Sequence, residues 1–262
     1  MKKLFLIPAV AALAFVSCSE DGAGAGDGAA TVKVMLTDAP AKYDQVNVDI
    51  QSVEIGTADG KWTPISFTKP GVYNLLNFRN GMDVVLGQVT LPQGAVTQMR
   101  MVLGGNNTVV VDGVSYPLTT PSAQQSGLKF NWNQTLEPNG AYNVWIDFDA
   151  GKSVVKTGNG KYILKPVIRT FSALTDGQLK GYVLPAEAKP IVYVLNSANV
   201  SDTVASAIPN PDGFFMLKGL PQASYNVVYD ADAATTYKDI TKTGVSVTYG
   251  KVTDLGNVTL AK

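Results

Sequence analysis

Residues 31–37 read TVKVMLT, and residues 45–55 read QVNVDIQSVEI. In the first stretch Val32, Val34 and Leu36 fall on one face of an extended chain, because successive side chains of a strand point to opposite sides. In the second, Val46, Val48 and Ile50 alternate, and Val53 and Ile55 continue one place out of step. One extra residue at Gln51-Ser52, a β-bulge, returns the apolar side chains to the same face.

The same pattern extends outward. It recurs at Trp62–Phe67, Val96–Leu103, Thr108–Val111, Ser115–Leu118, Gly127–Trp132, Ala141–Phe148 and Tyr162–Phe171. Turn residues separate these runs: Asp59-Gly60, Pro92-Gln-Gly94, Asp112-Gly113, Pro138-Asn-Gly140 and Gly158-Asn-Gly160. Asn80–Leu86 alone suits a short helical turn. Short strands with turns every 8–12 residues predict a sandwich or barrel.

Pro166 and Ser172–Gly177 mark a boundary. Beyond it the runs are 177–183, Ile191–Asn196, Thr203–Ile208, Gly213–Leu217, Ser224–Asp230, Thr243–Tyr249 and Thr253–Leu260. The expected fold class is all-β: two tandem β-sandwich domains, residues 31–172 and 177–262, behind a leader (1–17) and a tether (18–30).

The leader opens with Lys2 and Lys3, continues with an uncharged apolar stretch from Leu4 to Val16, and ends at Ser17-Cys18. This is the pattern of a secretory signal, and the stretch falls short of the roughly 20 apolar residues of a membrane span. A small residue before a cysteine is what lipoprotein processing requires, so Cys18 is expected to carry the lipid. It is the only cysteine in the chain and has no intramolecular disulfide partner. The Gly/Ala-rich stretch after it is a flexible tether. Ser19-Glu20-Asp21 resembles the acidic signal of Bacteroidetes lipoproteins exported to the outer face of the outer membrane. The expected location is therefore the cell outer membrane, surface-exposed, with the membrane as partner through the lipid on Cys18.

Composition excludes several chemistries. Loss of Lys2 and Lys3 with the leader takes 21 basic residues to 19 against 21 acidic, a net charge of −2. No Lys/Arg run is present, which argues against nucleic acid. There is no histidine. Triads built on Ser-His-Asp, Cys-His dyads and zinc sites built on His or Cys are absent from the mature chain. Carboxylate chemistry and oxygen-liganded calcium remain open. No enzyme activity and no obligatory cofactor are expected.

Longer stretches carry two resemblances. LTDAP (Leu36–Pro40) with VNVDIQSVEI after it, YNLLNFRNG (Tyr73–Gly81), LPQGAVTQMRMVL (Leu91–Leu103), PSAQQSGLKF (Pro121–Phe130), WIDFDAGKSVV (Trp145–Val155) and GKYILKPVIR (Gly160–Arg169) resemble, in order, a bacterial family catalogued as domain of unknown function 4382. That resemblance implies a β-sandwich on secreted or surface proteins of Bacteroidetes and other microbes, with no assigned activity. GFFMLKGLPQASY (Gly213–Tyr225) and the stretch from Val247 to Leu260 resemble the carboxypeptidase regulatory-like domain. This implies a prealbumin-like sandwich of about seven strands, an accessory module in a superfamily that includes starch-binding domains.

The candidate ligand residues are Trp132, Trp145, Asp147 and Asp149. Asp147 and Asp149 share a face, and with Asn143 or Asp49 they could hold calcium. The plainer reading is a strand end, with Asp149 bonding the following backbone and Lys152 neutralising the acids. Asp38 would cap its own turn before Pro40. Trp145 shares its face with Asn143 and Asp147 and could stack on a sugar, as could Trp132. For both rings the plainer reading is packing, as it is for Tyr182, Tyr193, Tyr225 and Tyr229. Two functions fit: a binding module for glycan or surface polymer, and a structural or adhesive component recruiting another surface protein along a strand edge. A carboxylate hydrolase would need two acids about 5–9 Å apart across a deep cleft.

Overall fold

The computed structural model describes residues 28–120 and 127–262. The leader, Cys18, the tether up to residue 27, and residues 121–126 lie outside them.

The first unit contains β1 (Ala30–Thr37), β2 (Gln45–Thr57), β3 (Trp62–Pro64), β4 (Ser66–Phe67), β5 (Gly71–Asn74), β6 (Val84–Leu91), β7 (Gly94–Leu103), β8 (Thr108–Val111), β9 (Val114–Thr119), β10 (Leu128–Leu136), β11 (Ala141–Phe148), β12 (Val154–Lys156), β13 (Tyr162–Leu164) and β14 (Ile168–Ser172). One sheet runs β14-β11-β1-β6-β4, and a larger one runs β10-β7-β2-β8-β9-β13-β12 with β3 and β5 also on β2. β1 is central in its sheet. It is parallel to β11, Thr31 facing Ala141 and Thr37 facing Asp147, and antiparallel to β6. The alternating residues meet between the sheets, where Leu36, Ile50, Ile55, Leu86, Met99, Met101 and Phe148 are fully buried. Each such side chain contributes about 1.5–3 kcal/mol by leaving water.

The second unit contains β15 (Gly177–Leu184), β16 (Ile191–Asn196), β17 (Thr203–Ala207), β18 (Phe214–Leu220), β19 (Ala223–Asp230), β20 (Ile240–Val247) and β21 (Val252–Thr259). These seven strands form the sheets β18-β15-β21 and β17-β16-β19-β20. Their core, built on Phe215, Tyr229, Val192 and Val227, is separate from the first. The chain is all-β, with short helical turns at Leu75–Phe78, Ala186–Ala188 and α1 (Ala150–Ser153) among the described residues.

The units are joined by the turn Ala173–Asp176. It is held by Thr175 N–H on the Ser172 carbonyl (3.3 Å) and Ser172 N–H on Asp176 Oδ2 (3.1 Å). In the second unit residues of β17 and β18 line the cleft against the first unit, and β20 and β21 are edge strands of the two sheets. There the Thr253 hydroxyl bonds the Ser246 carbonyl at 3.0 Å, and Lys242 Nζ bonds the Leu255 carbonyl at 3.4 Å, so side chains blunt the exposed edges.

The bulge at Gln51-Ser52 is present, where the register of β2 with β7 shifts between Ile50 and Ser52. Two expectations are corrected. Asn80–Leu86 holds no helix: the helical turn is Leu75–Phe78, capped by Asn74 Oδ1 on Leu76 N–H (3.2 Å), and Val84 already begins β6. Tyr162–Phe171 is two strands, β13 and β14, in different sheets, because Pro166 falls between them.

Candidate functional site

The two units meet at the end of the first unit's smaller sheet. β1 delivers Asp38, β11 delivers Asp147 and Asp149, and β14 delivers Arg169. From the second unit β16 brings Tyr193, β17 brings Ala205, and β18 brings Met216 and Lys218. These side chains line a cleft of about 270 Å³.

Hydrogen bonds cross the junction beside it. Lys218 Nζ reaches the Gly81 carbonyl (2.6 Å) and Asp83 Oδ2 (2.9 Å), and the same carboxylate oxygen accepts Trp145 Nε1–H (2.8 Å). Arg169 donates through Nε to Asp147 Oδ2 (2.7 Å) and through Nη1 to the Gly219 carbonyl (3.0 Å). Asn80 Nδ2 donates to the Ile208 carbonyl (3.0 Å). The Asn80-Gly81 turn permits this contact: Gly81 has φ of +81°, and a Cβ there would lie 2.5 Å from Met216 Sδ.

Asp38 is not a local cap. Its Oδ1 accepts the N–H of Ala150 (2.9 Å), more than a hundred residues away, and its Oδ2 has no partner. Burial pushes its carboxyl well above the usual carboxylate range. The Ala150 N–H opposes that rise, the charges of Asp147 and Asp149 add to it, and Arg79 reduces it. Asp147 Oδ1 is likewise buried without a partner. Asp149 takes the plainer role. It caps α1 through Oδ1 on Lys152 N–H (2.9 Å) and pairs with Lys152 Nζ (3.0 Å).

The cleft thus brings Asp147 and Asp149 together with Asp38, but not with Asp49. Asp49 is buried in the larger sheet, where its carboxylate accepts Asn106 N–H (3.2 Å), Asn106 Nδ2 (3.1 Å) and Gln51 Nε2. Trp132 is 5% exposed and belongs to the first core, which corrects its candidacy as a sugar platform. Trp145 is also covered. Phe171 stacks on it, centroids 5.5 Å apart and planes 4° apart, and Lys218 Nζ lies 5.6 Å from its ring. Tyr225 and Tyr229 are buried as packing, whereas Tyr182 is exposed beside Phe214. Sequence reading missed Asp83, Arg169 and Lys218. Their partners are distant in the chain, so no local signal marks them.

The family described as Domain of unknown function (DUF4382) matches residues 29–166, more than half of the chain, and the chain belongs to it. No curated protein matches. Three solved structures show similarity. The TIE protein of Bacillus anthracis is 12% identical with a TM-score of 0.25, over 89% of this chain and 34% of that one, so the chain spans about a third of its length. GBS52, the minor pilin of Streptococcus agalactiae, is 8% identical with a TM-score of 0.24, over 88% and 96%. The shaft pilin SpaA of Lactobacillus rhamnosus GG is 11% identical with a TM-score of 0.24, over 90% and 97%. Likenesses this distant assign no function.

Proposed function

We propose that the protein is a non-enzymatic lipoprotein, anchored in the outer membrane through Cys18, displayed at the cell surface, with a structural or adhesive role. The observation that carries the structural reading is the docking of the two units. A four-residue turn joins them, and Lys218 and Arg169 pin one to the other. Two units docked on each other in this way suit a part that holds or spaces other molecules. The second unit is read as the carboxypeptidase regulatory-like accessory module, supported by its seven strands in sheets of three and four. A glycan-binding role draws no support from the tryptophans, since Trp132 is buried and Trp145 is covered.

The test is metabolic labelling with a palmitate analogue, combined with proteinase K treatment of intact cells. Label on the full chain, lost in Cys18→Ala, with digestion of the intact-cell protein, is the expected result. An unlabelled chain, or one protected until the cells are broken, would overturn the anchor or the surface display respectively.

A further inference from the structure

Asp38 and Asp147 are wired alike. Each uses one carboxylate oxygen inside the protein, Asp38 Oδ1 for the Ala150 N–H (2.9 Å) and Asp147 Oδ2 for Arg169 Nε (2.7 Å). Each leaves the other oxygen, Asp38 Oδ2 and Asp147 Oδ1, buried without a hydrogen-bond partner. The two side chains are 7% and 4% exposed, and both line the cleft between the units. Buried polar atoms are nearly always satisfied, so two orphaned oxygens of the same kind on residues that line one cleft need a common explanation.

We propose that this cleft binds one hard divalent cation, calcium foremost, through Asp38 Oδ2 and Asp147 Oδ1. Three basic side chains at hand are engaged elsewhere: Lys152 holds Asp149, Arg169 holds Asp147 through its other oxygen, and Lys218 holds Asp83, while Arg79, whose charge acts on Asp38, spends its Nε on the Leu76 carbonyl (2.8 Å). None of these four hydrogen-bonds either orphaned oxygen. A ligating carboxylate is normally fixed by a hydrogen bond on the oxygen that does not ligate, which is the arrangement here.

The donor set decides the class of ion. With no histidine in the chain and no cysteine in the cleft, soft and borderline metals have no preferred ligand. Oxygen donors suit calcium or magnesium. Asp149 is left out of the set, because each of its oxygens already has a partner in Lys152, N–H or Nζ. Two carboxylates then remain, and among the described residues no group of three acidic or cysteine side chains is placed to hold a metal. Hard cations complete their shells with hydroxyl, carbonyl and water oxygens. A cleft of about 270 Å³ has room for several waters, each occupying about 30 Å³ in the liquid. A partly hydrated ion on two carboxylates binds weakly, in the range of about 10⁻⁴–10⁻³ M found for extracellular calcium modules. Tyr193, Ala205 and Met216 wall the cleft from the second unit, so the ion would sit where the two units touch.

Isothermal titration of the full chain with calcium chloride, repeated with magnesium chloride, tests this. One calcium per chain is expected, with binding weakened about tenfold or more in Asp38→Asn and Asp147→Asn. Both replacements are isosteric and keep an acceptor for Ala150 N–H and Arg169. A cooperative melt and an unchanged circular dichroism spectrum will show that the variants fold. Asp212→Asn, exposed and outside the cleft, should bind like the parent. Absence of heat or thermal shift up to about 10 mM calcium, or binding unchanged in both cleft variants, overturns the proposal. Binding of magnesium but not calcium overturns the choice of calcium.

Discussion

Tyr229 is the largest fully buried side chain among the described residues, and its hydroxyl has no partner. Burial pushes the phenol up to about 12, since the charged form would lie in an apolar core. A hydroxyl buried without a hydrogen bond opposes folding. Tyr229→Phe is therefore expected to stabilise the chain by about 1 kcal/mol, read as a higher midpoint in denaturant at unchanged slope. The alternation of β19 made the packing role of Tyr229 legible from sequence. Its orphaned hydroxyl was not, because satisfaction depends on the opposite sheet. The same limit applied to Trp145. Its face was assigned correctly beside Asn143 and Asp147, but Phe171 and Lys218, which cover it, arrive from β14 and β18. Asp38 is sharper still: beside Pro40 it reads as a turn residue, yet it anchors the backbone of α1.

At the scale of elements, strands whose alternation is unbroken were legible, including the bulge in β2. β6 was not. In VVLGQVTL, Gly87 interrupts the apolar alternation and invites a loop or helical reading. The glycine is there because β4 crosses close by: a Cβ at Gly87 would run into the Ser66 carbonyl oxygen. Gly87→Ala should push β4 away and cost about 1–3 kcal/mol. Faster amide exchange at Thr68, whose N–H bonds the Leu86 carbonyl at 2.7 Å, would report the displacement. Unchanged exchange with full stability would mean that β4 adds nothing to the sheet.

At the scale of the whole molecule, the turn-rich boundary and the change of motif suggest two units, but the contact between them leaves no mark in the sequence. Lys218 looks like one basic residue in a strand, and Asp83 like part of a loop. Together they form an ion pair in which Lys218 is 13% exposed. Lys218→Ala leaves the Asp83 carboxylate with Trp145 as its remaining partner. The loss should be about 2 kcal/mol and should fall on the junction rather than on either core. Calorimetry is expected to show one transition for the parent and two for the variant, with a larger radius of gyration in solution scattering. A single transition at the parent's midpoint would show that the units melt independently of this contact.

The placement of β1 has a mechanical consequence. β1 begins at Ala30, and the second unit is docked at the opposite end of the same strand, beside Asp38. A pull on Ala30 along the strand axis, against the rest of the sheet, would run along β1, which is bonded on both sides, to β11 and β6. Such a load shears both ladders at once instead of unzipping them pair by pair. The first unit would resist tension through its central strand, while force applied across the sheet, at the two-residue edge strand β4, would peel it open far more easily.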